Sequence, residues 1–174
     1  MDIFSTLNSF KIFEEEIFLK RNEYLKFQNA VDTNIYFIKS GSLKISIMNG
    51  FDEQIIRFGY DHNIIVALDS FISNCNSEYI IQAIKKTHVL VAKKKDFIEF
   101  INFNKENSNF YIQLLEELIL QQLEREKDLL LESPKERYET VLKRSPQLFQ
   151  FVPHKFIANY LRMSPETLSR LKKS

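Results

Sequence analysis

The spacing of apolar residues divides the chain into a first part of short runs and a second part with a helical period. Between Tyr24 and Val91, runs rich in Ile, Phe, Tyr and Val are separated by turn-forming residues. Tyr36–Ile38, Leu43–Ile47, Gln54–Phe58, Tyr79–Ala83 and Val89–Val91 are the predicted strands, because β-branched and aromatic side chains suit a pleated, half-buried surface. Lys39–Ser42 and Met48–Asp52 are the predicted turns, each with a glycine free to take positive φ. Strands this closely spaced, with few helices between them, predict an antiparallel roll or barrel.

From Phe97 the period lengthens. Asp96 is the predicted cap of a short helix over Phe97–Asn102, and a start near Asn107–Asn109 opens a long helix to about Glu132. Along it Ile112, Leu115, Ile119, Leu123 and Leu130 share one stripe, widened by Leu114, Leu118 and Leu129, while Glu116, Glu117, Glu124, Arg125, Glu126 and Lys127 occupy much of the rest. A band so broad needs cover on both sides: one side is expected to pack on the roll and the other to meet its twin in a two-fold dimer. Burial within a single subunit is the alternative. Ser133-Pro134 then breaks the helix, since proline disfavours helical geometry in the residue before it, and is the best linker candidate. A helix over Lys135–Arg144, a break at Ser145-Pro146 and terminal helices follow.

The terminal stretch Val152–Leu171 carries the most information. Pro153 suits the first turn of a helix whose Phe156, Ile157, Tyr160 and Leu161 repeat at helical spacing. Ser164 suits an N-cap and Pro165 the position after it, so only Arg162 and Met163 separate the helices of a predicted helix-turn-helix. Leu168 and Leu171 are expected to face Ile157 and Leu161, which turns Glu166 and Arg170 outward together. In a major groove Arg170 could grip guanine O6 and N7 while Glu166 accepts from cytosine N4. Thr167, Ser169 and the capping Ser164 could reach phosphate or base, and Lys172 and Lys173 would neutralise phosphate. The competing reading of Glu166 and Arg170 is a surface helix pair worth a few tenths of a kcal/mol.

The net charge of +1 hides an asymmetry, for Lys135–Ser174 holds nine Lys or Arg against three Asp or Glu. A basic end on a mildly acidic body points to a nucleic-acid surface there, which the helix-turn-helix reading makes double-stranded DNA. A single cysteine, Cys75, allows no internal disulfide and fits a reducing cytosol. The opening residues lack a signal-peptide pattern, and no apolar stretch approaches the roughly twenty residues of a membrane helix, so a cytoplasmic protein without a membrane partner is expected.

Ile157–Leu161 through Ser164–Arg170 resembles the DNA-binding helices of the Crp/Fnr family of bacterial transcription regulators. Upstream, Tyr36–Lys44 is similar to the early β-roll hairpin of that family, and Asp69-Ser70-Phe71 with Gln82-Ala83 falls where its ligand cassette would lie. The resemblance implies an α+β fold: an antiparallel β-roll of cyclic nucleotide-binding type, related to the double-stranded β-helix, over residues 1–106 with an N-terminal helix. A dimerisation helix over 107–132 and a helix-turn-helix domain over 133–174 complete it. It further implies a homodimer whose paired recognition helices meet a pseudo-palindromic operator, and an unknown small-molecule effector.

Three departures qualify the likeness. Cyclic-nucleotide binders of the family hold the ligand with a Gly-Glu pair and a downstream arginine, whereas the matching positions here are Val66-Ala67 and Ser77, or Glu78 on a slip of one. No arginine lies between Arg57 and Arg125, and Lys85 and Lys86 are out of place, so cyclic AMP and cyclic GMP are not expected as tight ligands. Arg162 stands where the family usually has glycine, a strain of about 1 kcal/mol if left-handed. The sequence stops at Ser174 with little room for a closing hairpin, so a frayed recognition helix and reduced DNA affinity are expected.

A cupin-like metal enzyme needs converging His and carboxylate ligands, and the roll offers His62 and His88 with no His-x-His pair; haem ligation by either stays open. Cys75 has no cation beside it in sequence and reads as an inert thiol. No Ser-His-Asp set, Gly-rich phosphate loop or carboxylate pair stands out, so no enzyme, metal or cofactor is expected. A roll dimer that keeps a protein partner or ligand but has lost DNA binding remains the main alternative.

Overall fold

The computed structural model describes residues 3–173, which divide into two compact units, one through Asn107 and one from Ser108. The first unit opens with α1 (Ile3–Ser9), then β1 (Phe13–Leu19), β2 (Tyr24–Lys26), β3 (Ile35–Ser40), β4 (Ser42–Asn49), β5 (Asp52–Tyr60) and β6 (Ile64–Val66). A short α2 (Leu68–Ser73), β7 (Ile80–Ala83), β8 (Thr87–Ala92) and α3 (Lys94–Phe103) follow. The strands form two antiparallel sheets, ordered β1-β8-β3-β6 and β2-β7-β4-β5. Between them lies a core of Leu19, Tyr36, Ile38, Leu43, Ile45, Ile65, Ile81, Ala83, Val89 and Val91.

The unbroken apolar run at the start of β3 follows from double burial, which removes the alternation expected of a strand with one wet face. Tyr36 and Ile38 enter the core between the sheets, whereas Phe37 meets Phe13, their ring centroids 6.0 Å apart. Phe71, Phe97, Phe100 and Phe10 form an aromatic chain with successive centroids 6.4, 6.0 and 4.9 Å apart, tying α2, α3 and the turn after α1 together. Gly41 turns β3 into β4 at φ +111°, and a Cβ there would stand 2.5 Å from the Thr87 Cα, so only glycine fits.

The predicted strands lie within β3, β4, β5, β7 and β8, except that Tyr79 falls outside β7. The second turn is tighter than predicted, since Asn49 and Asp52 pair across Gly50-Phe51. Three strands escape the sequence pattern. β1 is an edge strand with three glutamates in sequence, charged as edges often are, and β2 and β6 span only three residues each. Asp96 is not a cap: Lys93 takes the N-cap position of α3, and Asp96 lies in the first turn, where its charge suits the helix dipole.

The long helix α4 runs Lys105–Leu130, starting earlier and stopping earlier than predicted, with the Asn104 side chain accepting from the Asn107 N–H at 2.8 Å. In the second unit it is followed by α5 (Pro134–Arg144), α6 (Pro146–Phe151), α7 (His154–Tyr160) and α8 (Pro165–Leu171). Ser133 caps α5 and Pro134 fills its first position, so the predicted break is also a helix start. Val141, Leu148, Val152, Ile157, Ala158, Leu161 and Leu168 are buried and make up the apolar interior of this unit.

Candidate nucleic-acid interface

The last two helices are set by their ends. The α7 backbone closes with the Leu161 N–H on Ile157 O and the Met163 N–H on Ala158 O, and Arg162 takes φ +53°. Arg162 is therefore left-handed, the conformation glycine would adopt without strain. Ser164 then caps α8, its Oγ accepting from the Thr167 N–H at 3.1 Å, and Pro165 takes the next position. Pro153 stands one place earlier than predicted, as the N-cap residue of α7 without a side-chain bond.

α7 packs on α8, with Ile157, Leu161 and Leu168 all wholly buried, while Leu171 is half-buried. Glu166 and Arg170 are exposed on the opposite side of α8, together with Ser164 and Ser169. The Glu166 carboxyl is held below its usual range, first by its own backbone N–H, then by the Ser164 hydroxyl and the Arg170 charge. It is thus an acceptor beside a five-donor fork, the pair of groups that read cytosine N4 and guanine O6 and N7.

The remaining residues on this face differ in availability. Thr167 is half-buried, its Oγ1 3.1 Å from Ser164 Oγ, so that hydroxyl is engaged at the cap. Lys172 is exposed but turns back to contact His154 Nε2, and its Nζ lies 6.0 Å from the Phe149 ring centroid. Lys173, Lys155 and Arg162 are exposed.

On α4 the apolar stripe is open. Ile112 is 51% exposed, Ile119 58%, Leu123 48% and Leu130 76%, whereas Leu115 is half-buried. Leu120, 61% exposed and three residues before Leu123, extends the same band.

The positions matching the effector cassette lie around α2 and β7. Val66 ends β6 and is half-buried, Ala67 is wholly buried at the N-cap of α2, and Glu78 is exposed. Ser77 is wholly buried and engaged by the backbone: its N–H donates to Ala30 O at 3.1 Å, its carbonyl accepts from the Asn29 N–H at 2.7 Å, and its hydroxyl accepts from the Tyr79 N–H at 3.1 Å. Beside it the buried Lys26 ammonium donates to Tyr79 O at 2.7 Å, Phe27 O at 2.9 Å and Ser77 O at 3.4 Å, which uses its three hydrogens. Burial lowers the Lys26 pKa, opposed by Asp32 and Asp69. Val66, Ala67, Ser77 and Lys26 do not suit a phosphodiester anion, since Lys26 is already bound to carbonyls and two carboxylates stand near it.

The two roll histidines are placed apart from any metal-binding arrangement. His62 is a left-handed turn residue at φ +70°, and His88 Nε2 lies 2.7 Å from Glu16 Oε2 with its ring stacked on Phe18. Among the described residues no group of three or more His, Cys, Asp or Glu is arranged to hold a metal ion. Cys75 is exposed, and no described helix is long and apolar enough to cross a membrane.

An antiparallel roll continued by a long helix and a cluster of short ones is the architecture of the cyclic nucleotide-binding fold. The family model described as the cyclic nucleotide-binding domain matches residues 16–104, and the chain belongs to that family. No curated protein sequence matches the chain. Among solved structures it is similar to a CooA variant from Carboxydothermus hydrogenoformans, with a TM-score of 0.80 and 17% identity over 99% of this chain and 83% of that one. It is also similar to FixK2 from Bradyrhizobium japonicum, with a TM-score of 0.78 and 16% identity over 91% and 82% of the two chains. The c-di-GMP responsive global regulator CLP of Xanthomonas campestris gives 0.71 and 13% over 97% and 89%. At these identities the likeness is one of fold.

Proposed function

We propose that the protein is a homodimeric, sequence-specific DNA-binding transcription regulator of the Crp/Fnr type and not an enzyme. The observation that carries this reading is the exposed Glu166 and Arg170 pair on α8, seated by the buried Leu168 and started by the Ser164 cap. In this reading α7 and α8 form a helix-turn-helix, α8 enters the major groove, and Ser164, Thr167, Ser169, Lys172 and Lys173 flank the base-reading pair along the backbone. The open apolar band of α4 meets its counterpart in a second copy, which sets two recognition helices about one helical turn apart. The roll is the sensor, for a small molecule other than a cyclic mononucleotide. The regulators named above, with the same fold, support this reading.

Selection on random duplexes followed by gel shift tests it. Recovery of a pseudo-palindrome is expected, with Arg170→Ala losing about 1–3 kcal/mol and relaxing preference at one base pair per half-site. A protein that selects no sequence at low salt overturns the reading in favour of an interaction module.

A further inference from the structure

Arg137 stands at the start of the second turn of α5 and bonds backbone carbonyls from two distant parts of the chain. Its Nε donates to Leu161 O at 3.0 Å and its Nη2 to Arg162 O at 3.4 Å, both in the turn between α7 and α8. Its Nη1 donates to Leu131 O and, at 3.2 Å, to Glu132 O, just past the end of α4. Carbonyls at helix ends lack partners within their own helix and carry the negative end of the dipole. One guanidinium thus serves the ends of α4 and α7 at once. Its planar fork also fixes direction, which an ammonium cannot do.

Two further arginines act across the same junction. Arg125 of α4 lies with its guanidinium 3.7 Å from the Tyr160 ring centroid and donates to Tyr160 O. Arg144 of α5 makes a two-point bond to the buried Asp128 of α4, and its Nε stands 3.3 Å from Glu124. The break at Ser133-Pro134, which the sequence marks as a linker, is therefore bridged on both sides by side chains.

We propose that Arg137 is a positioning residue that sets the angle of α8 against the end of α4. In a dimer it thereby sets the separation of half-sites that two recognition helices can meet. The proposal rests on the reading of α8 as the DNA-reading helix. One inserted base pair shifts a half-site by about 3.4 Å and rotates it by about 35°, a change that a fixed frame resists and a loosened one follows.

The test titrates wild type, Arg137→Ala and Arg137→Lys on the selected operator and on versions with the spacer one base pair longer or shorter. Wild type is expected to prefer the native spacing by about tenfold or more, and both variants by about threefold or less. A purely structural role lowers affinity for all three duplexes in proportion and leaves that ratio unchanged. An unchanged ratio in a variant with wild-type circular dichroism and dimer mass overturns the proposal. Should Arg137→Ala fail to fold, Arg137→Lys carries the test, and failure of both overturns the positioning role in favour of a stabilising one. A wild type that selects no operator overturns the DNA-reading assignment itself, and the proposal with it.

Discussion

Tyr36 shows how a single residue can be legible in type and hidden in role. Its run of apolar neighbours predicts a strand, and it lies in β3 within the core. Its hydroxyl donates to Asp32 Oδ2 at 2.8 Å, while the Asn34 N–H holds Oδ1 at 3.0 Å, a bond between strand and preceding loop that no spacing announces. Burial, then the Asp32 charge, push the Tyr36 pKa well above the usual tyrosine range. A group raised in this way contributes stability that is complete below its unfolded pKa of about 10 and is lost as pH climbs towards its folded value. Urea unfolding is therefore expected to show a midpoint that falls above about pH 10. Tyr36→Phe should flatten that alkaline fall and cost about 1–3 kcal/mol at neutral pH, because Asp32 Oδ2 loses its donor in a buried place. Tyr79 is also raised, chiefly by burial, so the fall is reduced and not abolished. An identical alkaline slope in the variant would exclude Tyr36 as its source.

At the scale of elements, helical periodicity carried furthest where a helix was long or sharply capped. The stripe of α4, the break at Ser133-Pro134 and the cap at Ser164 are readable because each rests on residues within one or two turns of each other. The edge strand β1 was not, since three successive glutamates mask its alternation and only pairing with β8 holds it extended. The same reasoning yields a prediction for α4. Ile119→Asp places a carboxylate on the open band between Ile112 and Leu123, and in a two-fold interface it does so twice. Sedimentation analysis is expected to give a dimer for wild type and a monomer for the variant, with helix content retained because Ile119 is largely exposed in the single chain. A variant that still sediments as a dimer would move the interface elsewhere.

At the scale of the whole molecule, the roll and the proposed DNA-reading end carry different messages. The family match covers the roll, yet Ala67 and Ser77 stand at cassette positions and the buried Lys26 is already bound to backbone carbonyls. Calorimetry with cyclic AMP and cyclic GMP is expected to show no saturable heat in the micromolar range, and binding at about micromolar affinity or tighter would refute this fit.

By itself, the sequence determined the order of rolled strands, long helix and capped terminal pair, the outward turn of Glu166 and Arg170, and the substitutions in the cassette. Each of these follows from neighbours along the chain, where propensity, caps and period act over a few residues. Tertiary structure alone decided that Lys26 settles on the carbonyls of Phe27, Ser77 and Tyr79, and that Arg137 joins the ends of α4 and α7. Those bonds link groups many residues apart, and a backbone carbonyl is the same acceptor at every position until folding brings a particular donor to it.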